Sequence, residues 1–316
     1  MPLQRTIEPS GRLWLFAFGY AVGLVILQPL SLMLAPVPVA VYAAQRRMSR
    51  AWMFVAVAFF AGQLSLALGM APLGLPIVLF AMVGFILGWS IRAGQIYRHA
   101  VAGTTLALFV ILTVMLSLQW DVLEESMSDA LVKIEVQIEE SDSADVSETA
   151  LTNLNILKWF LENYRYVLFG NAFGTILVGI CFSTTLVYHW LRRYTEIPLT
   201  GSFREFRTPD ALVWAAITAG LLWLANDRWP GETIQFWSWN LAVSVFVWYW
   251  LNGLSLLLYA FAAFKPHPAA ALFFVVFLLF LGISFLAVAG LFDTWGNFRK
   301  TIDSRAEARK SDDGTA

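Results

Sequence analysis

Apolar runs long enough to cross a bilayer as a helix, which takes about 20 residues, follow one another along the chain with short polar breaks. They occupy 51–69, 72–91, 100–118, 166–190, 210–226, 233–264 and 269–292. Ahead of them, 12–45 is too long for one simple span and is interrupted by Pro29, Pro36 and Pro38. Proline removes a backbone donor and clashes with the preceding turn. This stretch therefore predicts two short helices turning near Gln28–Pro29, or one broken helix. The fold class that follows is all-α, a polytopic membrane helical bundle of eight or nine segments. Arg5 and Arg12 precede the first apolar run as they would in a signal peptide. No small-residue cleavage site follows at a suitable distance, which predicts a retained anchor helix.

The pattern changes in 119–163. Leu123, Met127, Leu131, Ile134 and Ile138 recur at helical spacing, so 121–139 predicts an amphipathic helix. Asp121 and Glu124 resemble a capping box at its start. The run Ser141–Asp145 predicts a turn, and Leu151, Leu154, Leu157 and Leu161 predict a second amphipathic helix over about 146–164. The chain thus divides into N-terminal membrane helices (1–118), an acidic helical hairpin (119–163), C-terminal membrane helices (164–292) and a polar tail (293–316).

Composition strengthens the membrane reading. The chain of 316 residues is 59% hydrophobic and 14% charged, with a mean hydropathy of +0.66. Soluble domains are about 45–50% apolar and about 25% charged. The formal net charge of −1 offers no basic excess for nucleic acid. A single cysteine, Cys181, excludes an intramolecular disulfide framework and a Cys-based zinc site.

Charge also orients the chain. Arg46, Arg47 and Arg50 form one basic loop, Arg92 and Arg98 a second, Arg192, Arg193, Arg204 and Arg207 a third, and Lys265 a fourth. By the positive-inside rule that face is cytoplasmic, which places the acidic hairpin outside. The tail conflicts with this. If 233–264 is one tilted helix, the tail with Arg299, Lys300, Arg305, Arg309 and Lys310 falls outside. Splitting the helix at Asn252–Gly253 would return the tail to the cytoplasm, and the tail's side stays open.

The candidate chemistry is sparse. His99, His189 and His267 lie at segment ends or in a loop, without a second metal ligand at helical spacing. HExxH, GxSxG, GxxxxGK[ST] and GxGxxG are all missing. The membrane segments are almost free of ionisable groups between their ends, where functional carboxylates and histidines of membrane enzymes gather. The expectation is a non-enzymatic protein with no cofactor and no metal. What the segments do carry is small residues and amides. Gly19 with Gly23, Gly84 with Gly88, and Gly170 with Gly174 form GxxxG pairs, read as helix packing within the chain. Gln63, Asn171, Asn240 and Asn252 need hydrogen-bond partners in hydrocarbon, so each is expected to face the bundle interior. Trp229, Trp237 and Trp239 fit the outer interface, whereas Trp248 and Trp250 are deeper in the same helix. Asn171, Asn240, Trp248 and Asn252 are accordingly the ligand-binding candidates, with structural glue as the competing role.

Two stretches are more specific. One is Phe206–Arg207–Thr208–Pro209–Asp210–Ala211–Leu212–Val213–Trp214, and the other is Gly290–Leu291–Phe292–Asp293–Thr294–Trp295–Gly296–Asn297–Phe298–Arg299–Lys300. Between them lie Asn240 and Leu251–Asn252–Gly253–Leu254–Ser255, and the Pro36–Val37–Pro38 turn stands near the start. In this order they resemble the YybS-like family of bacterial multi-pass membrane proteins, whose function is unknown. The motif residues carried by the resemblance are Arg207, Pro209, Gly253, Gly290, Asp293, Trp295, Phe298 and Arg299. The family is similar, distantly, to the substrate-binding S components of energy-coupling-factor transporters. Those dock on a transmembrane subunit, driven by ATPases, through an alanine-spaced helix face, a spacing that Ala40 and Ala44 fit. The resemblance implies residence in the bacterial cytoplasmic membrane. Independently of it, Asp293 and Arg299 are spaced to pair at a helix end. Two functions follow as expectations. One is a small-solute-binding transporter component that needs an ATPase module as partner. The other is a scaffold or envelope assembly factor whose partners are membrane proteins.

Overall fold

A computed structural model describes residues 10–26, 28–68, 74–142, 148–280 and 282–313. Within them the chain forms α-helices and a single 3-10 turn at Phe203–Glu205, with no β-strand. In order the helices are α1 (Ser10–Ile26), α2 (Gln28–Leu34), α3 (Pro36–Ala44), α4 (Met48–Ala67), α5 (Gly74–Arg92), α6 (Tyr97–Leu118) and α7 (Trp120–Asp142). Then come α8 (Glu148–Tyr194), α9 (Leu212–Arg228), α10 (Glu232–Phe264), α11 (Pro268–Phe280), α12 (Ile283–Gly296) and α13 (Phe298–Asp313).

Among the described residues, three stretches are long and apolar enough to cross a bilayer by length and composition: α6, Leu168–Tyr194 within α8, and α10. A fourth results if α11 and α12, bent by 98°, are counted as one span. This is fewer than the eight or nine segments expected, counted over the described residues alone. An apolar run in a sequence includes the turn residues at its ends and says nothing of where the helix breaks. The run 12–45 divides into α1, α2 and α3, where the prolines had predicted two helices. Two further apolar stretches, Ser31–Ala44 and Ile77–Arg92, are shorter as counted over the described residues, and α4 and α5 run for 20 and 19 residues. Helix α10, by contrast, runs unbroken through Asn252–Gly253.

The chain forms two compact units. Unit 1 comprises 1–106, 176–208 and 249–316. In it α3 lies against α5, because Gly84 and Gly88 have no side chain to hold the helices apart. A Cβ on Gly84 would stand 2.6 Å from the Pro36 carbonyl, and one on Gly88 would stand 2.7 Å from that of Ala40. Ala40 and Ala44 are buried in this contact. The alanine spacing is thereby occupied inside the unit. The core beside it centres on the buried Phe54, with the Tyr20 and Tyr42 rings each 5.4 Å away. At the start of α6, Tyr97 is buried and donates from its hydroxyl to the Cys181 carbonyl at 2.8 Å.

Unit 2 comprises 107–175 and 209–248. Here α7 and the first part of α8 form the acidic hairpin, with Lys158 Nζ 3.0 Å from Glu135 Oε1. The Trp120 ring stacks on Tyr164, with centroids 6.0 Å apart. The second arm does not end near 164. Helix α8 continues without a break from Glu148 to Tyr194. The turn between the arms, 143–147, lies outside the described residues.

Candidate functional site

In unit 1 the end of α12 and the start of α13 meet the inner surface of α10 and the 203–206 turn, and their contact is unusually polar. Asn297 closes α12 in the left-handed conformation, at φ +45°, which asparagine tolerates better than most residues. That reversal brings Arg299, only 3% exposed, back under the helix end.

All three nitrogens of the Arg299 guanidinium donate. Nε donates to Asp293 Oδ2 at 3.3 Å, Nη1 to the Arg204 carbonyl at 2.5 Å, and Nη2 to the Phe206 carbonyl at 2.7 Å and to Ser255 Oγ at 3.0 Å. Ser255 Oγ donates in turn to the Phe206 carbonyl at 2.9 Å. The Tyr259 ring lies under the guanidinium carbon at 5.3 Å, and its hydroxyl donates to Asp303 at 2.7 Å. Burial pulls the Arg299 pKa below the ordinary guanidinium value, and the Asp293 charge opposes that pull. Arginine in proteins stays protonated under such opposing effects. The result is a fixed cation that ties four chain segments together.

Glycine makes this approach possible. A Cβ on Gly253 would overlap the Leu286 carbonyl, and a Cβ on Gly290 would overlap that of Tyr249. Backbone therefore touches backbone along α10 and α12, and Asn252 Nδ2 reaches the Gly290 carbonyl at 2.7 Å. Two buried acceptors, Asn252 Oδ1 and Asp293 Oδ1, have no hydrogen-bond partner among the described residues.

The structure brings together Asn252, Gly253, Gly290, Asp293 and Arg299 from the expected site residues. Arg207 and Pro209 are exposed, as are Trp295 and Phe298. Arg207 still bears on the clamp, because its charge lowers the Arg299 pKa. Ser255, which stands in the quoted 251–255 stretch but not among the site candidates, and the two loop carbonyls are the participants that sequence reasoning did not single out. Backbone acceptors leave no mark in a sequence, and one serine in an apolar helix is no signal.

In unit 2, Asn240 is buried and its Oδ1 accepts from the Gly170 N–H at 2.6 Å, while Nδ2 donates to the Phe236 carbonyl at 2.9 Å. Gly170 and Gly174 face α10, where a Cβ on each would stand 2.8 Å from the Asn240 carbonyl and 2.9 Å from the Val247 side chain. The Trp248 ring is stacked on Phe173 at 6.3 Å. Asn171 and, in unit 1, Gln63 are exposed, contrary to the expectation that they face the interior. Successive helix residues are rotated by about 100°, so a position next to an interface glycine points away from the interface. Asn240 and Asn252 each link two helices through a bond to a backbone group.

No curated protein and no solved structure matches the chain. The model of a family described as predicted membrane protein, DUF2232, matches residues 14–294. The matched range takes in Asn252, Gly253, Gly290 and Asp293 and ends before Arg299.

Proposed function

The chain belongs to the DUF2232 family of predicted membrane proteins, and on that premise we propose that it acts without catalysis, as a scaffold for other envelope proteins that dock on α7. In this reading it resides in the bacterial cytoplasmic membrane, and the shorter apolar helices cross beside the three long ones to give the fuller segment count.

One observation carries the reading, the outward stripe of α7. At 100° per residue, Val122, Glu125, Asp129, Val132 and Val136 fall within about 80° of one another, and all five are exposed, Val122 at 69% and Val132 at 56%. The opposite stripe, Leu123, Met127, Leu131 and Ile134, is half-buried. A soluble-side helix satisfied by its own hairpin has no use for a second apolar stripe. Valines interleaved with carboxylates suit a partner that offers an apolar ridge flanked by basic residues. The placement of the amides adds support, since Asn240 and Asn252 are engaged in helix contacts.

The test places a photoreactive residue at Val132 in native membranes, with Met127 as the inward control. Protein adducts should form from 132 and not from 127, and Glu125→Lys with Asp129→Lys should abolish them. Adduct-free irradiation from 122, 132 and 136 would sink the reading.

A second reading, solute capture in the manner of an S component, has one observation in its favour. A groove of about 430 Å³ in unit 1 is lined by Phe18, Ala21, Val22, Val57, Phe60, Ala61 and Leu64. Every lining residue is apolar, so its occupant would be an apolar solute or an acyl chain. An apolar metabolite that co-purifies with the protein and is lost in Ala61→Trp would favour this reading over the first.

A further inference from the structure

The contacts of the last three helices bear on which way the chain leaves the membrane. Along α10, Gly253 meets Leu286, and Tyr249, Asn252 and Gly253 meet Gly290. Further along, Ser255 meets Arg299, and Tyr259 meets Arg299 and Asp303. From Leu286 to Gly290 the contacts step back from Gly253 to Tyr249, so α12 crosses α10 there; from Arg299 to Asp303 they move on from Ser255 to Tyr259, toward the end of α10 at Phe264. The end of α12, tied through Asp293 to Arg299, therefore lies beside the last turns of α10, and α13 advances from there toward the end where α10 emerges. Helix α11 begins at Pro268, only a short loop after that same end.

Length agrees with direction. Helix α11 has 13 residues and α12 has 14, about 20 Å each at 1.5 Å per residue. The hydrocarbon core is about 30 Å thick, so neither half crosses alone. Between Pro268–Leu278 and Ile283–Gly296 the axis turns by 98°.

The same end of unit 1 collects the basic loops. Tyr97 N–H donates to the Thr200 carbonyl, Tyr188 hydroxyl to the Gln95 carbonyl, and Arg192 to the Gly201 carbonyl. Those bonds hold the 92–98 loop beside the 192–207 loop. Gly84 faces Pro36 and Gly88 faces Ala40 and Ala44, so α3 and α5 run in parallel and Arg46–Arg50 follow at the end where Arg92 lies. Ser255 and Arg299 then bond the carbonyls of Arg204 and Phe206 in that cluster.

We infer that α11 and α12 form a re-entrant hairpin, entering and leaving the bilayer on the face that carries the basic loops, and that α13 is therefore cytoplasmic. The tail residues Arg299, Lys300, Arg305, Arg309 and Lys310 then obey the same positive-inside rule as every other basic loop, and α10 needs no break. The hairpin's outer surface suits one leaflet of acyl chains, with Phe285 exposed at 76%, Leu272 at 65% and Phe273 at 64%. Non-helical backbone at such a bend is tolerated in a membrane where neighbouring protein covers it, and Gly282 is buried against Leu278.

The test is sided labelling of full-length protein with a membrane-impermeant maleimide, in right-side-out and inside-out vesicles. Four single replacements at exposed positions in a Cys181→Ser background suffice: Ser49→Cys for a basic loop, Ser128→Cys for the acidic hairpin, His267→Cys before α11 and Glu307→Cys in α13. Positions 49, 267 and 307 should label only in inside-out vesicles, and 128 only in right-side-out ones. Labelling of 267 and 307 from opposite faces would make the bent pair a span and overturn the inference, and so would labelling of 307 together with 128. Where a cysteine variant fails to accumulate, fusions of a fluorescent protein and of a periplasmic phosphatase after residue 316 decide the tail's side in the unmodified chain. Phosphatase activity there would overturn the inference. Neither outcome depends on whether α7 docks a partner.

Discussion

Asn252 donates from Nδ2 to the Gly290 carbonyl across 2.7 Å, and it reaches that carbonyl because Gly253 and Gly290 keep α10 and α12 in backbone contact. The amide and the glycines are one device. Glycine brings the helices close, and asparagine fixes their register at that distance.

Gly253→Ala and Gly290→Ala should each force the two helices apart, since the added methyl would overlap a carbonyl oxygen of the facing helix. Overpacking of this kind costs about 1–3 kcal/mol or more. The expected outcome is a lowered midpoint of thermal unfolding in detergent. Gly220→Ala is the control, because a Cβ there meets nothing within 4 Å. Equal midpoints for the three variants would mean that the contact carries no stability.

Removing one partner of the buried pair is worse than removing both. Arg299→Ala leaves the Asp293 carboxylate buried without its cation, a loss of about 3–5 kcal/mol. Arg299→Lys should recover only part of this, because an ammonium supplies a point charge without the planar fork that reaches two carbonyls. The double variant Arg299→Met with Asp293→Leu should be more stable than Arg299→Ala alone. Limited proteolysis across 200–210 reads the effect locally, since those carbonyls lose their donor.

Asn240→Leu should cost about 0.6–2 kcal/mol, the range for interhelical hydrogen bonds in membranes, and Asn171→Leu should cost nothing measurable. The comparison of their unfolding midpoints separates an interior amide from one that only shares its segment.

Lys158→Gln is expected to be silent. Its ion pair with Glu135 spans 3.0 Å, but the two side chains are 34% and 44% exposed, and pairs so open to solvent contribute about 0–1 kcal/mol. A fall in midpoint comparable to that of Gly290→Ala would show that the hairpin depends on this contact after all.

How much of this was legible depended on the kind of signal. Asn240 and Asn252 could be placed inside because an amide in hydrocarbon must find a partner, and they did. Asn171 obeyed the same logic on paper and faces outward, since hydropathy fixes a segment and leaves rotation about the helix axis free. The second hairpin arm and the following apolar run were read as two elements because their polarity changes near Tyr164. No proline stands there, and the backbone ladder of α8 is indifferent to the surroundings of its side chains. The bend between α11 and α12 had only Gly282 to announce it. Asp293 and Arg299 were visible as a pair, but the loop that Arg299 holds was not, because its acceptors belong to the main chain. Periodicity thus revealed the elements, and the contacts that order them came from groups that periodicity does not see.

The position of the clamp within the chain has a consequence for biogenesis. Residue 299 is made after α10, α12 and the 203–206 turn that it joins. Until then the Asp293 carboxylate has no cation beside it, and the Arg204 and Phe206 carbonyls have no guanidinium. A nascent chain stalled or truncated before α13 is therefore left without that seal. Arg299 is the residue whose arrival closes the junction of α10, α12 and the 203–206 turn.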